Sequence, residues 1–206
     1  MKKKPTHRPS KLGRDGWRAV VEGLRRGAWR QLTNLNLWGC ELGPAGGAAL
    51  AAALLEGGCP ALTELNVGGN GLGDAGFGAL AEALGRGACP SMAALTAGRN
   101  KLAVLPEALC GVASLEELSL VHNGIESLPH GLLHLTRLRR LWIDSNPRLA
   151  AEVEIVDRTG TEIGALFAHL RSVHGGEPPP LNSPAPEPEP EPEPAPLERM
   201  PVGMGY

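Results

Sequence analysis

From Leu32 to Leu42 the chain reads LTNLNLWGCEL, and the same spacing of apolar and polar positions returns at Leu62 (LTELNVGGNGL), Met92 (MAALTAGRNKL), Leu115 (LEELSLVHNGI) and Leu138 (LRRLWIDSNPRL). The starts are 30, 30, 23 and 23 residues apart. Inside each copy, apolar residues alternate with others: Leu35/Leu37, Leu65/Val67, Leu95/Ala97, Leu118/Leu120 and Leu141/Ile143. A period of two is that of a strand with one buried face, so short strands are expected at about 35–37, 65–67, 95–97, 118–120 and 141–143. One such unit cannot bury its apolar face alone, and a fixed period of this size stacks the units into a solenoid. Neighbouring parallel strands then lie ~4.8 Å apart with their apolar residues in rows.

The ninth position of the frame has to turn the chain away from the sheet while backbone groups are buried there, and an amide that both donates and accepts suits it. Asn70, Asn100, Asn123 and Asn146 fill it in four copies, and Cys40 fills it in the first. The weak donor of a thiol is tolerable at the end of a stack, where one neighbour is missing. These five residues are expected to form a structural ladder.

What lies behind the sheet follows from the two spacings. After the first two strands come GPAGGAALAAALLEGGCPA and GDAGFGALAEALGRGACPS, aligned position for position, with Ala and Leu at helical spacing and a Gly and then a Pro at the end. Each predicts a full helix. The next two copies carry LPEALCGVASL and LPHGLLHLTRL, in which Leu105-Pro106 and Leu128-Pro129 open only a short helical turn. Shifted by 60 residues, LGRDGWRAVVEGLRRGAWRQ from Leu12 aligns with the helical half of the second copy and reads as an N-terminal capping half-repeat. At the other end, Thr159 and Glu162 form a capping box before Ile163, Leu166, Phe167, Leu170 and Val173, a helical apolar series that would close the core.

The frame L-x-x-L-x-L-x-x-N/C-x-L, present five times, resembles the leucine-rich repeat. Its longer copies resemble the ribonuclease-inhibitor type, and its shorter ones the Ras-group and Ras-suppressor type. The fold this implies is α/β: a right-handed leucine-rich repeat solenoid with a parallel β-sheet on the concave face and helices, then short helical turns, on the convex face. The organisation expected is a basic N-terminus at 1–11, the capping half-repeat at 12–31, five repeats at 32–149, a C-terminal cap with a helix at 150–175 and an acidic Pro-rich tail at 176–206.

Composition narrows the class. Of 206 residues 42% are hydrophobic but only 3% aromatic, which suits stacked aliphatics. No run approaches the ~18 apolar residues of a membrane span, and the basic start MKKKPTHRPSKLGR lacks an apolar signal region. The cytoplasm is the expected compartment, with the nucleus as the alternative. The net charge of −2 hides a division: residues 1–18 sum to +6, the repeat body to −3 and residues 177–206 to −5. No basic stripe crosses the body, so nucleic acid is not an expected partner. The tail, with its alternating Glu and Pro, cannot build a core and reads as an extended spacer rather than a ligand.

Chemistry is sparse. Cys40, Cys59, Cys89 and Cys110 contain no C-x-x-C, and the six histidines do not cluster, so neither a metal nor a cofactor is expected. Cys59 and Cys89 hold equivalent positions and come within range of a disulfide, but reduced, buried thiols are the expectation. His122 and Ser145 share a frame position beside Asp144; without a strained nucleophile turn or an oxyanion donor pair, the set does not make an enzyme.

What remains is the outward sheet face. Its candidate partner-binding residues are Asn36, Trp38, Glu64, Asn66, Arg99, His122, Arg140, Trp142 and Asp144. Glu116 beside Arg139 and Glu117 beside Arg140 read first as cross-strand ion pairs. Trp38 and Trp142 are either binding anchors or rings packed on the edge of a loop, and both readings stay open. The family resemblance implies a non-catalytic scaffold or adaptor, a monomer whose concave face binds another protein. The alternative it implies is a regulator of a small GTPase or another enzyme.

Overall fold

The computed structural model describes residues 13–149, 163–178 and 180. The basic N-terminus 1–11, the capping box at Thr159 and Glu162 and nearly all of the Pro-rich tail lie outside the described residues.

Five strands, β1 (Asn34–Asn36), β2 (Glu64–Asn66), β3 (Ala94–Thr96), β4 (Glu117–Ser119) and β5 (Arg140–Trp142), form one sheet in chain order. Every neighbouring pair is parallel, and the register puts Leu35, Leu65, Leu95, Leu118 and Leu141 side by side. All five are buried, as are Leu37, Val67, Ala97, Leu120 and Ile143 in the next row. Each strand closes one residue earlier than the alternation predicts, because the carbonyl of that next row is diverted. Val67 O accepts from the amides of Asn70 and Asn100 at 2.7 and 3.1 Å, and Leu120 O accepts from those of Asn123 and Asn146 at 2.8 and 3.0 Å.

Behind the sheet stand α1 (Gly13–Arg25), α2 (Gly43–Leu55) and α3 (Gly73–Gly85), then two 3₁₀ turns, η1 (Glu107–Gly111) and η2 (His130–His134). The three helices end alike. Gly27, Gly57 and Gly87 take left-handed φ of 66, 80 and 84°, and the next residue's N–H reaches back to Gly23, Ala53 and Ala83 at 3.0 to 3.1 Å. A left-handed residue after the last turn satisfies carbonyls that a helix otherwise leaves open, and glycine adopts it without steric cost. In the shorter repeats Pro106 and Pro129 hold the chain extended before a single turn closed by Leu109 N–H to Pro106 O and Leu132 N–H to Pro129 O, both 3.1 Å. Helices therefore back the first two repeats and thin turns the next two.

Helices α2 and α3 meet backbone to backbone. A Cβ on Gly47 would come within 2.7 Å of the Gly76 carbonyl oxygen, and one on Gly76 within 2.8 Å of Pro44 Cα. Alanine would push the helices apart, and this contact spaces the convex layer to match the sheet. At the end of the stack, α4 (Ile163–His174) buries Ile163, Leu166 and Leu170 and leans Phe167 on the core. Val173, expected on the same stripe, is 63% exposed, one turn past the last core contact. His174 stacks on His130 of η2, ring centroids 4.8 Å apart, and His130 Nε2 lies 2.9 Å from Gly176 O.

Candidate protein-binding surface

The asparagines are the hinge between the sheet and its turns. Asn100 is fully buried; its amide donates to Ala97 O at 3.0 Å and Val67 O at 3.1 Å, while its Oδ1 accepts from Asn70 N–H at 3.2 Å and Leu72 N–H at 3.3 Å. Asn70, Asn123 and Asn146 repeat the arrangement, and each spans two repeats. At the same frame position Cys40 is buried and its thiol points to Trp38 O at 3.7 Å. This ladder leaves the opposite face of each strand free to carry unrelated side chains.

That concave face has three tiers. In the first, the register aligns Asn34, Glu64, Ala94, Glu117 and Arg140; in the second, Asn36, Asn66, Thr96, Ser119 and Trp142. Asn36 and Asn66 each bend their Oδ1 back to the N–H two residues on, of Trp38 and Gly68, at 3.0 Å. Their amide nitrogens make no other hydrogen bond among the described residues. Asn34 donates to the Glu64 carboxylate across the strand gap. Arg140 meets Glu117 at 2.7 Å, and Arg139 stands 3.9 Å from Glu116.

The third tier lies just past the strands, and there the sequence-based picture needs adjustment. Arg99 and His122 are exposed but take left-handed φ of 57 and 56°, as Ser145 does at 60°. They stand on the rim where the chain turns, not in the middle of the sheet. Asp144 is half-buried, and its carbonyl accepts from His122 N–H at 2.9 Å. Among the described residues no side-chain hydrogen bond joins His122, Asp144 and Ser145, so the structure does not bring them together as a nucleophile with its base.

The two tryptophans differ. Trp142 is half-buried on β5. Trp38 is 48% exposed, yet its indole lies on the next repeat: a Cβ on Gly68 would collide with the ring, and one on Gly69 would touch it at 3.4 Å. Trp38 thus packs on the loop edge while about half of its surface stays exposed.

Periodicity alone did not reveal the hollow in this face, a depression of about 620 Å³ between β1 and β4. Its floor includes Ala93 and Ala94, and Glu64, Asn66, Thr96 and Glu117 are among its walls. The signal was in the sequence: where the other strands carry Thr-Asn, Thr-Glu, Glu-Glu and Arg-Arg, the middle one has Ala-Ala. Short side chains in the third of five strands leave a dip.

The cysteines lie away from this face, free and buried. Cys89 Sγ points to Cys59 O at 3.6 Å, and Cys59 Sγ to Trp29 O at 3.4 Å, so each thiol caps a carbonyl of the preceding repeat. Burial pushes the Cys59 thiol up to about 11; for Cys89, burial and then the neighbouring Cys59 raise it to about 12, and for Cys110, burial and then Glu107 do the same. Thiols held protonated in this way are poor nucleophiles. Among the described residues no three His, Cys, Asp or Glu are placed to hold a metal ion, and no helix is long and apolar enough to cross a membrane.

The model of a family described as Leucine Rich repeat matches residues 30–51 and 58–81, the stretches containing β1 with most of α2 and β2 with most of α3. With the same frame carried through five strands, the chain is a leucine-rich repeat protein. Among solved structures, the C-terminal domain of tropomodulin from Caenorhabditis elegans is 14% identical at a TM-score of 0.52, over 78% of this chain and 99% of that one. Actin-binding site 2 of leiomodin-1 is 13% identical at 0.51, over 82% and 94%. A leucine-rich repeat protein of Leptospira interrogans is 23% identical at 0.36, over 57% and 38%. No curated protein sequence matches. At these identities the likeness to the tropomodulin and leiomodin domains is one of fold alone. Leucine-rich repeats as a class are protein-binding repeats.

Proposed function

We propose that the protein is a non-catalytic interaction scaffold that binds a partner protein on its concave face. The observation that carries this reading is the hollow over β1 to β4: polar walls with unused Asn amides, flanked by Trp38 on one side and Trp142 on the other. Aromatic side chains beside polar groups of mixed sign resemble the core and rim of specific protein interfaces. Capture of the partner by Trp38→Ala, Trp142→Ala and Arg99→Ala, each tested for retained fold, is the direct test. Loss of about thirtyfold in affinity at Trp38, near 2 kcal/mol, is the size expected of an anchor. Wild-type capture by all three variants would overturn the proposal.

Small GTPases belong in the capture panel as targets of a regulator. Actin belongs there too, because the leiomodin-1 domain is named for binding it. A shared fold transfers neither partner.

A further inference from the structure

The four asparagines of the ladder differ in the residue that follows them. Asn70 and Asn123 stand before Gly71 and Gly124, Asn100 before Lys101 and Asn146 before Pro147. An Asn–Gly step is the one most prone to losing its side-chain amide, because glycine has no side chain to hinder its backbone nitrogen from attacking the asparagine Cγ. A side chain such as that of Lys101 hinders the attack, and Pro147 has no N–H to make it with. The sequence holds two Asn–Gly steps, and both fall on the ladder.

The fold closes both sites. Asn70 and Asn123 are buried. The amide of Asn70 is drawn back to the carbonyls of Val67 at 2.7 Å and Leu37 at 2.8 Å, and that of Asn123 to those of Leu120 at 2.8 Å and Ala97 at 3.2 Å. The Asn123 oxygen also accepts from Asn100 N–H at 2.8 Å, and the attacking group itself, Gly124 N–H, is committed to Leu102 O at 2.7 Å. Leu37 and Ala97 belong to the preceding repeats, so ring closure requires the joint between two repeats to open first.

We propose that Asn70 and Asn123 are modification sites that the closed ladder protects and that record its opening irreversibly. When a joint opens, the glycine nitrogen gives up its proton and bonds to the asparagine Cγ. The Cγ–Nδ2 bond breaks, and the amide leaves as ammonia with that proton. Water then opens the five-membered imide at one of its two carbonyls, giving aspartate or isoaspartate. Neither product rebuilds the joint. An ionised carboxylate only accepts, and here it would face the two carbonyl oxygens to which the amide donated, an unpaired charge away from water. Isoaspartate also adds an atom to the backbone at the turn. The time that these joints spend open thus sets the lifetime of the scaffold. The inference stands whether or not the concave face binds a partner.

The test holds the full chain at mildly alkaline pH, folded in buffer and unfolded in guanidinium chloride, and follows each asparagine by peptide mass spectrometry with isoaspartate quantified. Asn70 and Asn123 should convert in denaturant at least about tenfold faster than in the folded chain. They should also outpace Asn100 and Asn146 in the same sample by about tenfold or more. Gly124→Ala is the site control: Gly124 is not left-handed, and a Cβ there would meet Leu102 O at an ordinary 3.5 Å, so the fold is retained. It should slow conversion at position 123 severalfold and leave position 70 unchanged. The double variant Asn70→Asp, Asn123→Asp, which carries the product from the start, should unfold at a clearly lower urea concentration than wild type or stay unfolded. Equal conversion in the folded and unfolded chain, conversion at position 123 untouched by Gly124→Ala, or a double variant as stable as wild type would each overturn the inference.

Discussion

The backbone N–H of Asn100 donates to the side-chain oxygen of Asn123 in the following repeat, at 2.8 Å. Asn100 hands on the same service, accepting from Asn70 N–H, so each repeat's turn is fixed by its successor.

Replacing Asn100 by Ala therefore leaves the N–H groups of Asn70 and Leu72 without their acceptor and takes a donor from the Val67 and Ala97 carbonyls. A loss on the order of 1–3 kcal/mol is expected from unpaired buried groups, read as a lower urea midpoint. Cys40→Ala removes one long thiol contact and should cost less. Equal shifts for the two variants would contradict the ladder.

Gly68 is where Trp38 rests, so Gly68→Ala should lift the indole from the sheet. Its backbone is not in the left-handed region, and the collision is with a side chain that can swing away. The expected outcome is a red shift of Trp38 emission, measured against Trp38→Phe in the same background, with little loss of stability. An unchanged spectrum would mean that the ring does not lie on Gly68.

The buried thiols make a pH prediction. Their ordinary value is 9.0, and in the fold Cys59 rises to about 11 and Cys89 and Cys110 to about 12. A raised value means that the folded state keeps a proton the unfolded chain releases, so this contribution is complete below pH 9 and is lost as pH rises. Between pH 9 and about 11 stability should fall by up to roughly 1.4 kcal/mol per pH unit for each thiol. Denaturant melts of wild type and Cys89→Ala at pH 8 and pH 10.5 check this: the variant should show a shallower decline, and parallel declines would contradict it.

Much of this fold was legible because its repeat is written in residue types. The alternation at Leu35/Leu37 and its four copies placed the strands, the Gly-Pro punctuation after Leu54 and Leu84 placed the helices, and Pro106 and Pro129 marked the short turns. The strand ends were off by one residue because hydrophobic alternation does not register where a carbonyl transfers to an asparagine side chain. The binding surface was less legible. Arg99 and His122 share the turn position held by Gly39 and Gly69, and that glycine signal for a left-handed residue, 64 and 68° in the structure, was the clue that they stand on the rim. The hollow depends on the side chains that Ala93 and Ala94 lack, which becomes visible only when the strands are laid side by side.

The concave face is tested most directly by site-specific photocrosslinking in the cell that makes the protein. A photoreactive residue replaces Asn66 in the hollow in one chain, and in another it replaces Glu82, which is exposed on the outer side of α3. Binding on the concave face predicts a discrete crosslinked partner from position 66, lost in Trp38→Ala, and none from position 82. The same partner crosslinked from position 82 and not from position 66 would contradict it.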